Sequence, residues 1–320
     1  MKDNISMKNL KEFTFLSSDG RTNIAAYRYE AENPRCTLQI SHGIAEYAKR
    51  YEPFADYLTE NGITVYANDH LGHGGSVASE ENRMFFTGKN GWDHVVSDLK
   101  TLSDIAADEH PDIPHFIFGH SMGSFLARTY LFTYPDDFDG AILCGTGHMA
   151  RPVIYLGLAL AGVLSSVSPK KRSRFLENMI FGPYNKKFRP VRTPYDWLSG
   201  DNDAVDAYIS DELCGQTATT RLYFDLMTGL KRITAKNNIA KMKKSTPVRF
   251  ISGSLDPVGE NAKGVNRAYK AFLDAGMEDV SVKFIMGGRH EILNDRDKES
   301  IYSDVNKWIT DRISDNITEG

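Results

Sequence analysis

The chain has few cysteines, no large excess of either charge and no visible secretion signal. Its three cysteines, Cys36, Cys144 and Cys214, are odd in number and far apart, which argues against a disulfide framework and leaves no closely spaced pair for a metal. The 38 basic and 42 acidic residues give a net charge of −4, so nucleic acid is not expected as a partner. Residues 1–15 alternate charged and apolar side chains and lack the continuous apolar segment of a signal peptide. These absences predict a protein of a reducing compartment, the cytoplasm.

Internal repeats, low-complexity linkers and long hydrophobic runs are also absent. The uncharged run 153–167 has fifteen residues, too few to span a hydrocarbon core of about 30 Å. With 41% hydrophobic and 25% charged residues, the composition is that of an ordinary globular protein. The length of 320 residues suits one large domain with an insertion, or two domains.

Strand and helix patterns alternate along the first half of the chain and again after Pro247. Segments rich in β-branched and aromatic residues predict strands at 12–16, 24–30, 36–41, 63–67, 115–118, 140–144, 248–251 and 280–285. Apolar side chains at helical spacing predict helices around 51–58, over 92–110, from 121 towards 134, over 259–275 and over 297–313. The alternation predicts an α/β fold with a starting hairpin and a mostly parallel central sheet flanked by helices.

The alternation breaks between Gly147 and Pro247. Helical patterns at 204–213 and 220–230 and a basic cluster at 170–174 take its place. We therefore predict a helical cap, residues 148–244, inserted into one discontinuous core domain made of residues 1–147 and 245–320.

One pentapeptide, Gly119-His120-Ser121-Met122-Gly123, has the pattern G-x-S-x-G between a predicted strand and a predicted helix. In this pattern the serine sits on a sharp turn, and the glycines remove Cβ atoms that would clash there. The turn exposes the Ser121 hydroxyl and places the Met122 N–H at a helix N-terminus, where it can donate to an oxyanion. Because so short a pattern also arises by chance, its context has to support it.

A nucleophilic serine needs a histidine to take its proton and a carboxylate to orient that histidine. In this kind of sheet the chain order is serine, acid, histidine, each in a loop after a strand. His290 is the only histidine after residue 148, and both it and Asp256 follow predicted strands in that order. We predict Ser121, Asp256 and His290 as a catalytic triad.

The second oxyanion donor is expected from the loop after the third strand. His42-Gly43-Ile44 lies there, and we assign the donor to the Ile44 N–H. His42 precedes the serine in the chain and is predicted to be a hydrogen-bonded loop residue rather than the base. His120 lies inside the serine turn and is predicted to point away from the site.

Asp69, His70 and His73 carry side chains that can bind a metal. They lie on a tight glycine-rich loop instead of one helix face. No metal site is therefore predicted.

Six stretches resemble the monoacylglycerol lipase and lysophospholipase group of α/β-hydrolases, of the serine aminopeptidase S33 type. They are 41–43, 46–51, 68–74, 119–123, 253–257 and 288–291. The resemblance covers nearly the whole chain. It implies hydrolysis of carboxylic esters of single-chain lipids, namely monoacylglycerols or lysophospholipids, no cofactor, and a helical cap over a hydrophobic acyl tunnel.

The leading prediction is a serine ester hydrolase that works through an acyl-enzyme. An aminopeptidase of the same fold is an alternative that needs carboxylates in the cap to hold a free amine. The candidates Asp201, Asp203, Asp206 and Asp211 are more simply a solvated helix face. A slow-turnover ligand receptor that retains the triad is a second alternative. A serine at position 121 disfavours dehalogenase or epoxide chemistry, and the acyl length, the alcohol and the oligomeric state stay open.

The uncharged run 153–167 is more apolar than a solvated helix should be. It is predicted to be buried as a lid over the acyl pocket. Contact of part of the run with a lipid surface, with the basic cluster 170–174 behind it, is a second prediction, and the two can coexist.

Overall fold

An eight-stranded sheet lies at the centre of the fold. The computed structural model of the chain describes residues 9–317, with side chains up to residue 313. The strands are β1 (Leu10–Leu16), β2 (Asn23–Tyr29), β3 (Cys36–Ser41), β4 (Ile63–Asn68), β5 (His115–His120), β6 (Gly140–Cys144), β7 (Val248–Gly253) and β8 (Val280–Ile285). Their order is β1-β2-β4-β3-β5-β6-β7-β8; β2 is antiparallel to both neighbours and the other pairs are parallel. The predicted α/β fold and starting hairpin are confirmed.

Helices cover both faces of this sheet. They are α1 (Glu52–Glu60), α2 (Gly91–Glu109), α3 (Met122–Thr133), α4 (Arg151–Val167), α5 (Arg174–Phe181), α6 (Asn202–Ser210), α7 (Thr220–Ile233), α8 (Lys236–Ile239), α9 (Lys263–Asp274) and α10 (Lys298–Ile317). Side chains of the buried inner strands alternate between two apolar layers. On β5, Phe116 and Phe118 pack with α1 and α10, whereas Ile117 packs with α2 and α3.

The predicted strands and helices of the core are present, with ends that shift by a few residues. Helix α9 is predicted from residue 259 but begins at Lys263, and α10 is predicted to 313 but ends at Ile317. The three residues before α9, 260–262, have φ between 52° and 75°, which a right-handed helix does not contain, so they form a turn instead. Residues 1–8 of the predicted N-terminal segment lie outside the described residues.

Five helices, α4 to α8, lie between β6 and β7, where the cap is predicted. Helices α6 and α7 confirm the helical patterns at 204–213 and 220–230, and the uncharged run forms α4. Helix α7 packs directly on α2, since a Cβ added to Gly229 would lie 2.3 Å from ring atoms of Trp92. Within residues 9–317, no helix is long and apolar enough to cross a membrane. The division into a core domain and a cap at 148–244 stays a prediction.

Asp225 is a buried carboxylate on α7 at the contact with α2. Arg221 donates hydrogen bonds to it at 3.0 and 3.1 Å, and a Cβ added to Gly91, the first residue of α2, would lie 2.3 Å from its Oδ2. Burial raises the pKa of Asp225 to about 6, and the hydrogen bonds and charge of Arg221 oppose this only in part. Ionisation of Asp225 is therefore harder in the folded chain than in the unfolded one.

We expect this carboxyl to affect how stability changes with pH. A raised folded pKa means that the stabilising contribution is complete below the unfolded value of about 3.9 and is lost as the pH rises through about 6. The free energy of unfolding of Asp225→Asn, relative to the wild type, should therefore rise by about 2 kcal/mol between pH 4 and pH 7. Urea unfolding at the two pH values measures this difference.

Asp203→Asn on α6 is the matched control, because it removes one exposed aspartate outside the α2 contact. Its unfolding free energy should follow that of the wild type. Parallel pH curves for the wild type and Asp225→Asn would contradict the assignment.

Candidate active site

Ser121 lies on the turn from β5 to α3 in a backbone conformation that serine rarely adopts. Its φ is 52° and its ψ is −120°. A Cβ added to Gly119 would lie 2.5 Å from Gly123 O, and one added to Gly123 would lie 1.9 Å from Ser41 O, so the turn requires both glycines. Strain of about 1–3 kcal/mol in such a residue persists only where the surroundings hold it, and it is typical of functional sites.

His290 and Asp256 are paired in the loops after β8 and β7. The distance from His290 Nδ1 to Asp256 Oδ1 is 3.0 Å, and 2% and 0% of the two side chains are exposed. Asp256 also accepts hydrogen bonds from the Val258 N–H at 2.9 Å and the Ser252 hydroxyl at 3.3 Å. Because Nδ1 of His290 is engaged, Nε2 is the nitrogen left to accept a proton.

Two cavities meet at Ser121. One has a volume of about 570 Å³ and is lined by Ser121 and His290. The other, of about 340 Å³, is lined by Ser121, Ile44 and Met122. Among the described residues, Ser121 Oγ makes no direct hydrogen bond to the His290 ring, a contact that in serine enzymes often tightens only when substrate binds. The structure thus brings all five predicted site residues to one place.

The loop after β3 is packed against Ser121. A Cβ added to Gly43 would lie 3.2 Å from the Cβ of Ser121 and 2.5 Å from Glu46 Oε1. Gly43 donates its N–H to the same Glu46 oxygen at 2.6 Å, which leaves the N–H of Ile44 as the next donor along the loop. A side chain at position 43 would therefore force the Glu46 carboxylate or Ser121 to move.

Contacts from the segment between β6 and β7 hold the same loop from its other side. Ala45 has a φ of 56°, a conformation that needs outside support in a residue other than glycine. Its carbonyl accepts hydrogen bonds from the Gly215 N–H at 3.0 Å and the Tyr208 hydroxyl at 3.1 Å. The loop is therefore fixed between the sheet and the inserted helices.

Residues 196–199, between α5 and α6, hold the loop that carries His290. The His290 N–H donates to Trp197 O at 3.4 Å, and the Glu291 N–H donates to Leu198 O at 2.6 Å. The Arg289 guanidinium donates to two further carbonyl oxygens of this segment. The ring centroids of Trp197 and His290 are 5.1 Å apart. The position of His290 therefore depends on the inserted segment as well as on the sheet.

The expectation that His120 points away from the site is wrong. Its ring centroid lies 4.7 Å from that of His290, its Nε2 is 3.3 Å from His290 O, and it lines the larger cavity. Its Nδ1 is 3.1 Å from Glu46 Oε1. His120 is the last residue of β5 and shares the sheet face of Phe118, which at this edge meets the loops after β3 and β8.

Three charged residues next to His120 had no predicted role. Arg50 donates to Glu46 at 2.5 Å and, with two nitrogens, to Glu291 at 2.8 and 3.0 Å. All three lie within stretches that carry the family resemblance. The i,i+4 spacing of Glu46 and Arg50 could have predicted their ion pair. Arg50 and Glu291 are 241 positions apart, so no such spacing could predict theirs.

His42 is a hydrogen-bonded loop residue, as predicted. Its Nδ1 is 2.7 Å from Gly43 O, and its Nε2 accepts the His70 N–H at 2.9 Å. The rings of His42, His70 and His73 lie together in the interior, and burial lowers the pKa of each. In the part of the chain that the structure describes, no group of three or more His, Cys, Asp or Glu side chains is placed to hold a metal.

The mostly parallel sheet, the strained serine turn and the histidine–aspartate pair define a serine hydrolase of the α/β-hydrolase class. The family model described as "Serine aminopeptidase, S33" matches residues 32–297. The chain belongs to this family.

Relatives of this family match the chain along most of its length. The monoacylglycerol lipase of Mycolicibacterium smegmatis is 27% identical over 88% of this chain and 90% of its own, and the monoglyceride lipase of Mus musculus is 27% identical over 93% and 90%. A thermostable carboxyl esterase from Bacillus coagulans, solved in complex with glycerol, has a TM-score of 0.87 at 30% identity over 95% of this chain and 99% of that one.

Gly43→Ala should slow the reaction without unfolding the chain. The new Cβ would meet the Glu46 carboxylate and Ser121, so it displaces either the carboxylate that holds the Gly43 N–H beside Ile44 or Ser121 itself. We expect kcat on a soluble aryl ester to fall by about tenfold or more, with an unchanged circular dichroism spectrum. Gly88→Ala is the matched control, because a Cβ there would meet nothing within 4 Å. Equal rates for the two variants would contradict the role of this loop.

Proposed function

We propose that this serine hydrolase cleaves carboxylic esters of single-chain lipids, monoacylglycerols in particular, with Ser121, Asp256 and His290 as its triad. The observation that carries the proposal is the position of Ser121 where two cavities of different character meet. An ester of a fatty acid with a small polar alcohol has an apolar chain on one side of its carbonyl carbon and a polar group on the other.

The smaller cavity suits the acyl chain. Helices α3, α4 and α7 supply much of its wall with apolar side chains: Phe125, Val153, Leu156, Met227 and Leu230. Removing apolar surface from water favours binding by roughly 25 cal/mol per Å². Since α4 and α7 belong to the predicted insertion, we infer that residues 148–244 act as a cap over the acyl chain.

The larger cavity suits the alcohol. It is lined by polar side chains that donate and accept hydrogen bonds: Glu177, Asn178, Asn185, Gln216 and Thr217. Such groups match the hydroxyls of a glycerol-like leaving group. The names of the mycobacterial and mouse lipases, and the glycerol bound to the Bacillus coagulans esterase, support this choice of alcohol.

In the proposed reaction, Ser121 Oγ attacks the ester carbonyl carbon while Nε2 of His290 takes its proton. The N–H groups of Ile44 and Met122 donate to the negative oxygen that forms. His290 then gives the proton to the departing alcohol, and the acyl group stays on Ser121 until a water molecule, deprotonated by the same nitrogen, releases the fatty acid. Asp256 keeps Nδ1–H directed at itself and stabilises the imidazolium.

The four cap aspartates considered for an aminopeptidase lie elsewhere, and the one cap carboxylate that lines a cavity, Glu177, accepts a hydrogen bond from the Thr217 hydroxyl at 2.8 Å. None of the four aspartates considered for that role lines either cavity; Asp206 pairs with Arg192, and Asp211 accepts from the Tyr47 hydroxyl. The ratios of kcat/KM for aryl esters, monoacylglycerols, lysophospholipids and an aminoacyl anilide test this choice. Anilide turnover above ester turnover would favour the peptidase, and binding without turnover would favour a receptor.

A reducing compartment, the cytoplasm, is part of the proposal. Cys36, Cys144 and Cys214 are unpaired and buried. Burial raises the pKa of each thiol, so none is poised as a reactive thiolate. Unpaired thiols of this kind are typical of proteins kept under reducing conditions.

We also propose that α4 rests on a lipid surface. Val163 and Val167 are 66% and 80% exposed on this helix. Val153 and Leu156 are exposed as well and line the acyl cavity, so the exposed apolar surface is continuous with that cavity. The basic cluster at 170–174 follows directly and would attract anionic headgroups. A lipid ester could then reach Ser121 without crossing bulk water.

We expect Ser121→Ala and His290→Ala each to abolish most ester turnover, because nucleophile and base act as one unit.

Asp256→Asn should lower kcat by on the order of 10³ to 10⁴, since it favours the wrong tautomer of His290. Hydrolysis of a soluble aryl ester measures each effect. His94→Ala, which lines neither cavity, is the control, and near-wild-type turnover of Ser121→Ala would end the proposal.

Val163→Asp should impair hydrolysis of a long-chain monoacylglycerol in vesicles more than that of a soluble aryl acetate. Val163 is exposed and lines neither cavity, whereas Leu158 and Leu160 on the same helix are partly buried, so Val163 tests the surface alone. Leu16→Asp, on the exposed face of β1, is the matched control. Equal losses on both substrates would remove the lipid-surface role of α4.

A further inference from the structure

A buried cluster of four ionisable side chains lies behind the candidate site and takes no part in the reaction proposed above. Its members are Glu46, Arg50, His120 and Glu291, none more than 12% exposed. The cluster lies between two functional loops. One is the loop after β3, which carries the proposed oxyanion donor, and the other is the loop after β8, which carries the proposed base.

Arg50 binds both carboxylates of this cluster. Its guanidinium donates to Glu46 at 2.5 Å and to both oxygens of Glu291 at 2.8 and 3.0 Å. One guanidinium balances one of the two negative charges. An uncompensated carboxylate in the interior is strongly disfavoured, so the cluster requires a second cation in contact with it.

The surroundings of His120 identify it as that cation. Its Nδ1 faces Glu46 Oε1 at 3.1 Å, and this oxygen already accepts the Gly43 N–H at 2.6 Å and the Tyr51 hydroxyl at 2.8 Å. Its Nε2 faces the carbonyl oxygen of His290 at 3.3 Å. A neutral imidazole has one N–H and would turn a lone pair towards one of these two acceptors. Only the imidazolium can donate to both.

We propose that His120 is held as an imidazolium and acts as a positioning residue that ties the oxyanion loop to the loop of the catalytic histidine. Through Nδ1 it fixes Glu46, which holds the Gly43 N–H beside Ile44. Through Nε2 it fixes the backbone of His290. The inference rests on the proposed function, because it takes its meaning from the roles given there to Ile44 and His290.

The electrostatics of the cluster agree with this geometry. The ionisable groups that face the ring are Glu46 and Tyr51 on one side and His290 and Glu291 on the other, and Arg50 binds the two carboxylates. Burial lowers the pKa of His120, but the hydrogen bond and charge of Glu46 outweigh it and leave the pKa above its ordinary value. A raised histidine pKa keeps the imidazolium, and with it the bridge, to a higher pH than an ordinary histidine would, and the bridge is lost as the pH rises through that pKa.

Nuclear magnetic resonance tests the charge directly. In wild-type protein labelled with ¹⁵N-histidine, the His120 ring is assigned through its contacts with the Tyr51 ring. We expect both ring nitrogens to be protonated at pH 7 and one to be released only at alkaline pH. A ring with one protonated and one bare nitrogen at pH 7 would overturn the proposal, whether or not any variant folds.

His120→Gln tests the positioning role, because the amide keeps a donor but carries no charge. On a soluble aryl ester we expect kcat to fall ten- to hundredfold, roughly the loss of one charge-assisted hydrogen bond, with KM nearly unchanged. The wild-type profile of kcat/KM should decline at alkaline pH, and that decline should be absent in the variant. His115→Gln, at the other end of β5, is the matched control. A variant with wild-type kcat and the same alkaline decline would refute the role.

The proposed function and the His120 bridge can be refuted separately. If Ser121→Ala retains turnover, the proposed function is wrong, while the protonation state of His120 still stands on the resonance measurement. If Ser121→Ala is inactive but His120 is neutral at pH 7, the proposed function stands and the bridge is wrong.

Discussion

The backbone conformation of Ser121 is the constraint on which the rest of the structure depends. A serine with a φ of 52° must be held from outside, and hydrogen bonds with two neighbours do so. Its N–H donates to Cys144 O on β6 at 3.0 Å, and its carbonyl accepts from the N–H and hydroxyl of Ser124 at 2.9 and 2.6 Å. The glycine at position 123 lets α3 press against the end of β3. Sheet and helix therefore fix the serine at the junction of the two cavities.

The proposed base, His290, is held by parts of the chain that are far apart in sequence. Residues 196–199 form hydrogen bonds with the loop of His290, and Trp197 both packs against the His290 ring and lines the larger cavity. His120 approaches the same ring from β5. An alcohol bound in that cavity would thus touch a side chain that also positions the base. In this way the inserted helices can couple recognition of the alcohol to proton transfer.

Local patterns were enough to predict the strands, the helices and the convergence of Ser121, Asp256 and His290, because the loops after parallel strands meet at one edge of the sheet. Contacts between distant segments were not predictable from such patterns. The pairing of Arg50 with Glu291 depends on the packing of two loops, and so does the direction of His120. The late start of α9 depends on positive φ at residues that are not glycine. The division of α4 into packed and exposed residues depends on its contact with α7.

The central claim is that Ser121 is a nucleophile activated by His290. Its most direct measurement is the reaction of the purified protein with an alkyl fluorophosphonate, followed by intact-mass and peptide mass spectrometry. We predict a single adduct, located on the peptide that contains Ser121 and attached to the Ser121 hydroxyl oxygen. The adduct should form far more slowly when His290 is replaced by alanine. An adduct on another residue, or an Ser121 adduct that forms at the same rate without His290, would contradict the claim.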